Sequence, residues 1–85
     1  MDKHLILGVH LTNRLKQARE VQDLFTTYGC YIKTRLGLHE VEAACQPSGI
    51  ILLEMHGDEA ACLELAEKLQ AIAGVDVKNI TFDHP

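Results

Sequence analysis

The segment HLILGVHL, residues 4–11, decides the fold class because its side chains alternate in type. One set of alternate positions is wholly aliphatic: Leu5, Leu7, Val9 and Leu11. The other set is His4, Ile6, Gly8 and His10. A period of two is typical of a β-strand with one face in a core. The sequence therefore predicts a first strand over residues 4–11.

Two helical patterns and three more strand patterns follow this strand. Thr12 and Asn13 are good helix N-caps, and apolar residues recur at three- and four-residue spacing up to Tyr28. The members of that apolar stripe are Leu15, Ala18, Val21, Leu24, Phe25 and Tyr28. Gly29 is expected to end the helix in a left-handed C-cap. Strands are then predicted over 30–36, 50–56 and 75–82, with a second helix from Asp58 to Gly74.

This β-α-β-β-α-β order predicts the α+β class and a ferredoxin-like, ACT-like fold. With right-handed crossovers, four antiparallel strands take the order 4-1-3-2 and both helices cover one face. A chain of 85 residues is expected to form a single domain, residues 1–85.

The alternation also sorts side chains between the two faces of the sheet. The helix-covered face is predicted to carry Leu5, Leu7, Val9, Ile51, Leu53 and Met55. The open face is predicted to carry Ile6, Gly8, Ile50, Leu52 and Ile80, with a polar fringe of His4, His10, Tyr31, Lys33, Arg35, Glu54 and His56. Such an apolar face favours burial, so we expect a homodimer or higher homo-oligomer through it. A monomer with an exposed apolar sheet is the alternative.

Composition excludes several classes of function. The net charge is −4 and the chain has no run of Lys or Arg, which argues against autonomous nucleic acid binding. No apolar stretch reaches the roughly 20 residues that span a bilayer. Three widely spaced cysteines do not form a disulfide framework and indicate reduced thiols in the cytoplasm. Cys30 and Cys62 are predicted to lie in the core.

The segment GLHEVEAACQPSG, residues 37–49, is longer than a hairpin needs and is the main clue to function. The topology brings it to the sheet end where the strand of His10 also ends. Candidate ligand-binding residues are therefore His39, Glu40, Cys45, His10 and Arg35. The same region suits a divalent transition metal ion, with His39, Cys45 and His10 as ligands. A solvated surface loop, with Glu40 and Glu42 in water and Cys45 as a small buried anchor, is the plain alternative.

A second histidine group lies at the other end of the predicted sheet. His4 and His56 sit on adjacent central strands and are a further candidate metal pair, with two surface histidines as the alternative. His84 is close to the C-terminus. The chain has no Ser-His-Asp order, no Gly-rich phosphate loop and no CxxC pair, so we expect no catalytic residues. A Cys45–His39 nucleophile pair is the enzymatic alternative.

Several short segments resemble the family of iron-only hydrogenase system regulators. They are TRLGLHE (34–40), CQPSGIILLE (45–54), GDE (57–59), IAGVDVK (72–78) and Phe82. The resemblance implies a ferredoxin-like fold close to ACT domains and to the C-terminal domain of nickel-responsive repressors. Those relatives bind amino acids or metal ions at subunit interfaces. In the nickel-responsive repressors a separate DNA-binding segment precedes this domain; because the first strand here is predicted to begin at His4, we expect an effector-binding module without that segment.

The resemblance implies a regulatory, effector-binding module that acts as an oligomer, in hydrogenase-related regulation. Its small ligand or metal ion would lie near the 37–49 loop. The alternative is a non-enzymatic interaction or scaffold protein that docks a partner through this loop. Deleting residues 38–47 and comparing captured partners would separate the two functions.

Overall fold

The computed structural model describes residues 2–38 and 49–83. The elements are β1 (Lys3–Leu11), α1 (Arg14–Thr27), β2 (Ile32–Leu38), β3 (Gly49–Met55), α2 (Glu59–Gln70) and β4 (Val75–Asp83). The sheet order is β2-β3-β1-β4, and all three neighbouring pairs are antiparallel. This order is the predicted 4-1-3-2 arrangement counted from the opposite edge. The predicted α+β, ferredoxin-like fold class is confirmed.

The core lies between the sheet and the two helices. The aliphatic positions of β1 are all buried, and so are Leu53 and Met55 on β3. From α2 the core receives Cys62, Leu65 and Leu69, each with no exposed surface. Burying one such leucine contributes roughly 1.5–3 kcal/mol, so this layer supplies most of the driving force for folding.

The caps agree with the sequence at the two helix N-termini. The Asn13 side chain accepts a hydrogen bond from the Lys16 backbone N–H, and Asp58 accepts one from Ala60. The predicted cap of the second helix at Gly74 is wrong, because α2 ends at Gln70 with Ala71 as its C-cap; Gly74, with a φ of 81°, forms the turn that leads into β4. Gly29 does not have a positive φ, so its predicted role is also wrong. The chain instead tightens into a short 3₁₀ helix over Gly29–Tyr31.

A buried glutamine joins the start of α1 to the turn before β4. Gln17 is 6% exposed, and its side-chain amide donates a hydrogen bond of 2.9 Å to the Ala73 carbonyl. Its side-chain carbonyl accepts from the backbone N–H of Asn13 at 3.0 Å. The predicted stripe of α1 is wrong in this turn, because Leu15 is 88% exposed and Ala18 is also exposed. Hydrogen bonding, more than apolar burial, fixes the first turn of α1.

A β-bulge in β2 changes which side chains face the helices. Ile32 pairs with Met55 and Thr34 pairs with Glu54, so Lys33 is one extra residue on β2. An extra residue shifts the phase of the alternation from that point on. Arg35 therefore shares the covered face with its pairing partner Leu53, and Leu36 shares the open face with Leu52. The predicted place of Arg35 in the fringe of the open face is wrong for this reason.

Two more predictions fail in the 3₁₀ helix that replaces the start of the predicted second strand. Cys30 is exposed and not in the core. Tyr31 is half-buried against the core and lies 6.5 Å from Tyr28 between ring centroids, so it is not on the open face. Cys62 is buried as predicted, and its Sγ lies 3.6 Å from the carbonyl of His56. Burial raises the pKa of the Cys62 thiol, which keeps it protonated and unreactive.

Candidate functional site

A groove opens between α1 and the adjoining ends of β2 and β3. Its volume is about 480 Å³, within the range of small-molecule sites. The lining is mostly aliphatic or aromatic, from Leu11, Ala18, Val21, Phe25 and Ile51, and at the strand ends it includes Leu38 and Ile50, which also belong to the open face of the sheet. Gly37 and Gly49 line it where the two strands are joined through residues 39–48. The groove therefore adjoins the segment that the sequence marks as the main functional clue.

Arg35 provides the positive charge of this groove. Its guanidinium carbon lies 4.8 Å from the centre of the Phe25 ring. One of its terminal nitrogens donates a 2.8 Å hydrogen bond to the side-chain carbonyl of Gln22. Stacking on the ring and bonding to Gln22 hold the guanidinium in a defined position over the apolar wall.

This combination of groups favours one class of ligand. A guanidinium has five N–H donors in a planar fork that matches a carboxylate, and the bond to Gln22 uses one of them. Apart from Arg35 and Gln22, the side chains that line the groove are apolar. The site is therefore suited to an organic anion whose carboxylate pairs with Arg35 while its apolar part lies against Val21 and Phe25.

The predicted site residues fall into three groups. His39, Glu40 and Cys45, together with Glu42 and His84, lie outside the described residues. Arg35 lines the groove on the covered side of the sheet. His10 is exposed on the open face, where it pairs with Ile50 and Asp76. Arg35 and His10 are thus on opposite faces and do not line one cavity.

The histidines predicted at the other end of the sheet are also exposed. His4 lies on β1 opposite Phe82, and His56 follows the last residue of β3. Within residues 2–38 and 49–83, no three His, Cys, Asp or Glu side chains form a group that could hold a metal ion. The metal predictions at His39, Cys45, His10, His4 and His56 remain predictions.

Phe25 and Gln22 are groove residues that the sequence did not single out. Phe25 was assigned to the apolar stripe of α1, which is correct, since it is 4% exposed. Its further contact with Arg35 depends on the bulge at Lys33, which the period-two pattern does not reveal. The only sign of this contact in the sequence is that a basic residue, Arg35, follows Lys33 and Thr34 in β2. A basic residue at that position would fit the polar fringe of the open face equally well.

Comparison with solved structures identifies a relative that matches this chain over nearly the whole length of both proteins. The uncharacterized protein TM1266 from Thermotoga maritima superimposes with a TM-score of 0.79 and is 30% identical. The match covers 93% of this chain and 96% of TM1266. This chain belongs to the TM1266 family. No protein-family model matches the chain, and no curated protein matches it.

More distant structures share the fold of the TM1266 family. Prephenate dehydratase from Streptococcus mutans matches with a TM-score of 0.63 and 15% identity, over 93% of this chain and 42% of the enzyme. CPII, a nitrogen regulatory PII-like protein from Thiomonas intermedia K12, was solved bound to ADP, AMP and bicarbonate. It matches with a TM-score of 0.60 and 18% identity, covering 98% of this chain and 93% of CPII. These two likenesses establish the fold.

The open face of the sheet is the second candidate site. Five of its apolar side chains are between 43% and 57% exposed: Leu36, Leu38, Ile50, Ile80 and Phe82. They come from three different strands, so they form a surface and not isolated positions. In the part of the chain that the structure describes, no helix is long and apolar enough to cross a membrane.

Proposed function

We propose that this member of the TM1266 family is a regulatory, effector-binding module of the ACT-like type, and not an enzyme. Its effector is a small organic anion that binds in the groove between α1 and the β2–β3 ends. The observation that carries this proposal is Arg35, fixed by Phe25 and Gln22 above an otherwise apolar groove of ligand size. The ligands named for CPII support the choice of an anion.

The regulatory step follows from where the groove lies. It adjoins both ends of residues 39–48, where His39, Glu40 and Cys45 are the predicted contacts. A ligand that binds Arg35 would favour one arrangement of the surrounding residues only by its differential affinity for the alternatives. A partner or a second subunit would then respond to that arrangement.

The setting of this regulation is part of the proposal. The chain works as a homo-oligomer through its open sheet face, because the exposed aliphatic side chains there favour burial. It works in the cytoplasm, where Cys30 and Cys62 stay free thiols as they are in the structure. The segments that resemble hydrogenase system regulators support a hydrogenase-related process.

A thermal-shift screen tests the ligand proposal. The probes are amino acids, small dicarboxylates, nucleotides and divalent metal ions, each tested on the wild type, Arg35→Gln and Arg19→Gln. Arg19 is an exposed arginine of α1 that does not line the groove, so it is the matched control. A ligand at 100 times its Kd stabilises by about 2.7 kcal/mol, a shift on the order of 10 °C for a chain of this size.

The expected result is that at least one carboxylate stabilises the wild type and Arg19→Gln but not Arg35→Gln. The proposal fails if no organic anion stabilises the protein, or if Arg35→Gln responds like the wild type. Stabilisation by a divalent ion alone, unchanged in Arg35→Gln, would instead support the metal prediction at His39, Cys45 and His10.

A further inference from the structure

The pairing register arranges the open face in rows that run across the strands in the order β2, β3, β1, β4. The first row is Leu38, Ile50, His10 and Asp76. The second row is Leu36, Leu52, Gly8 and Lys78. The third row is Thr34, Glu54, Ile6 and Ile80, and His4 and Phe82 lie beyond it. Residues opposite each other in a pair share a face, so these rows give a map of the surface.

The map has a diagonal pattern. One corner, on β2 and β3, is aliphatic: Leu36, Leu38, Ile50 and Leu52. The diagonally opposite corner, on β1 and β4, is also apolar: Ile6, Ile80 and Phe82. The two remaining corners are polar, and each contains one lysine and one carboxylate. Lys33 and Glu54 occupy the first polar corner, and Lys78 and Asp76 occupy the second.

We propose that a second copy of the chain covers this face, related by a two-fold axis that runs along the apolar diagonal. This docking rests on the homo-oligomer proposed above and specifies its geometry. Leu52 and Ile6 lie on the diagonal, so each meets its own counterpart. The two polar corners exchange places, which sets Lys33 against Asp76 of the second copy and Glu54 against Lys78 of the second copy.

Three other symmetric ways of stacking the face on itself match less well. An axis along the polar diagonal lays Glu54 over Glu54 and Asp76 over Asp76 of the second copy, which sets like charges against each other. An axis parallel to the strands lays Ile50 over His10 and Leu36 over Lys78 of the second copy. An axis perpendicular to the strands lays Leu52 over Glu54 and His10 over His4. Both bury a charged or polar group against an aliphatic one, which costs free energy without a compensating bond. The axis along the apolar diagonal sets cations beside anions and lays Leu36 on Ile50 of the second copy, although Ile80 then lies near His4 of the second copy.

The ion pairs within each polar corner of a single chain are weak, so exchanging partners across the interface costs little free energy. Within one chain, Lys33 lies 3.8 Å from the Glu54 carboxylate and Lys78 lies 3.9 Å from Asp76. These separations are long, and the two lysine side chains are 61% and 82% exposed. Exposed pairs of this kind contribute between zero and about 1 kcal/mol. Across the interface the same four charges form a ring at the rim, where complementary order fixes the register.

Simple dimensions give the shape of the dimer. Strands about 4.8 Å apart and same-face residues about 6.8 Å apart make a surface of roughly 15 by 20 Å. Its diagonal lies about 35° from the strands, so the strands of the two sheets cross at about 70°, close to the orthogonal class of sheet packing. The area of this surface is smaller than the roughly 800 Å² per partner that a standard interface buries, so the dimer should dissociate on dilution.

Charge swaps test the docking while leaving each chain's own ion pairs in place. The first variant, K33E/E54K, reverses one corner, and the second, D76K/K78D, reverses the other. Each keeps the net charge of −4 and the ion pair within its corner. The third variant combines all four substitutions. Sedimentation equilibrium gives the dimer Kd for each, and thermal melting checks that the monomers fold.

Each single-corner swap is expected to weaken the dimer about tenfold or more, because it sets like charges against each other. The four-substitution variant is expected to return the Kd to within about threefold of the wild type, because complementary order is restored. The docking is overturned if a single-corner swap leaves the Kd unchanged, or if the combined variant stays weak. If the wild type still dimerises in that case, the proposed homo-oligomer stands and only this docking geometry is rejected. Anion binding at Arg35 is measured separately, so its outcome is independent.

Discussion

The two faces of the sheet are built from the same four strands, yet among residues 2–38 and 49–83 the helices cover only one of them. On the covered face Leu7 and Leu53 have no exposed surface, because both helices pack there. On the open face Leu36 is 52% exposed and Phe82 is 57% exposed. Consecutive apolar residues in the central strand β3, Ile50–Leu53, point to alternate faces, so both faces of the sheet carry apolar side chains. The helices bury the first face, and the second is the surface at which we propose that two copies associate.

Strand β2 takes part in both faces in an unusual way. Before the bulge Ile32 packs against the core, and after it Arg35 again faces the helices while Leu36 and Leu38 face outward. The extra residue Lys33 is what places a cation beside Phe25 and two leucines on the open face. The groove and the open face therefore share one strand and depend on one irregularity.

Deleting single residues gives the largest expected effect and tests this view of β2. Removing Lys33 should leave a regular strand with the same faces on both sides of the deletion, because Lys33 is the extra residue. Removing Gly8 from the central strand should turn every later side chain of β1 to the wrong face and abolish folding. Circular dichroism and urea unfolding will show a cooperative transition for the first variant and none for the second. A folded Gly8 deletion, or an unfolded Lys33 deletion, would contradict the assignment of the bulge.

A matched pair of truncations compares the two faces directly. Leu53→Ala on the covered face should lower the free energy of unfolding by about 2–5 kcal/mol, since it leaves a cavity in the core. Leu36→Ala on the open face should change it by less than about 1 kcal/mol in the monomer. Urea titrations at low protein concentration measure both values. Equal losses would mean that the open face is part of the monomer's own core.

The turn that follows α2 matters only to the covered side and should give a smaller effect. Gly74 has a positive φ, and a Cβ there would collide with the side chains of Gln17 and Thr12. Gly74→Ala should therefore destabilise by about 2 kcal/mol, through backbone strain and the lost Gln17 contacts. Gly29→Ala is the control, because no described atom lies within 4 Å of its Cβ position. Thermal melting of the two variants checks this; a neutral Gly74→Ala would mean that the turn relaxes freely.

Much of this fold is readable from residue patterns, and the reasons are local. The alternation in residues 4–11 and the caps at Asn13 and Asp58 each have one good structural solution. The failures cluster in residues 29–36, where a 3₁₀ helix and a bulge replace a regular strand. Neither changes composition or spacing enough to be seen, so Cys30, Tyr31 and Arg35 were assigned to the wrong environments.

The candidate site was harder to predict than the fold for a physical reason. Arg35 was among the predicted ligand contacts, but its partners Phe25 and Gln22 come from α1, ten and thirteen residues earlier in the chain. Only the packing of α1 on β2 brings them together. The predicted contacts at His39, Glu40 and Cys45 fall outside the described residues and stay predictions.

The central claim is that the open face is covered by a second copy of the chain while the covered face holds the ligand groove. Sedimentation equilibrium of the wild type and of Ile6→Lys tests it most directly, because Ile6 lies on the apolar diagonal and outside the buried core. The account predicts a wild type that changes from one to two chains with rising concentration, and an equally stable Ile6→Lys that stays monomeric. A wild type that is monomeric throughout, or an Ile6→Lys that dimerises as well as the wild type, would contradict it.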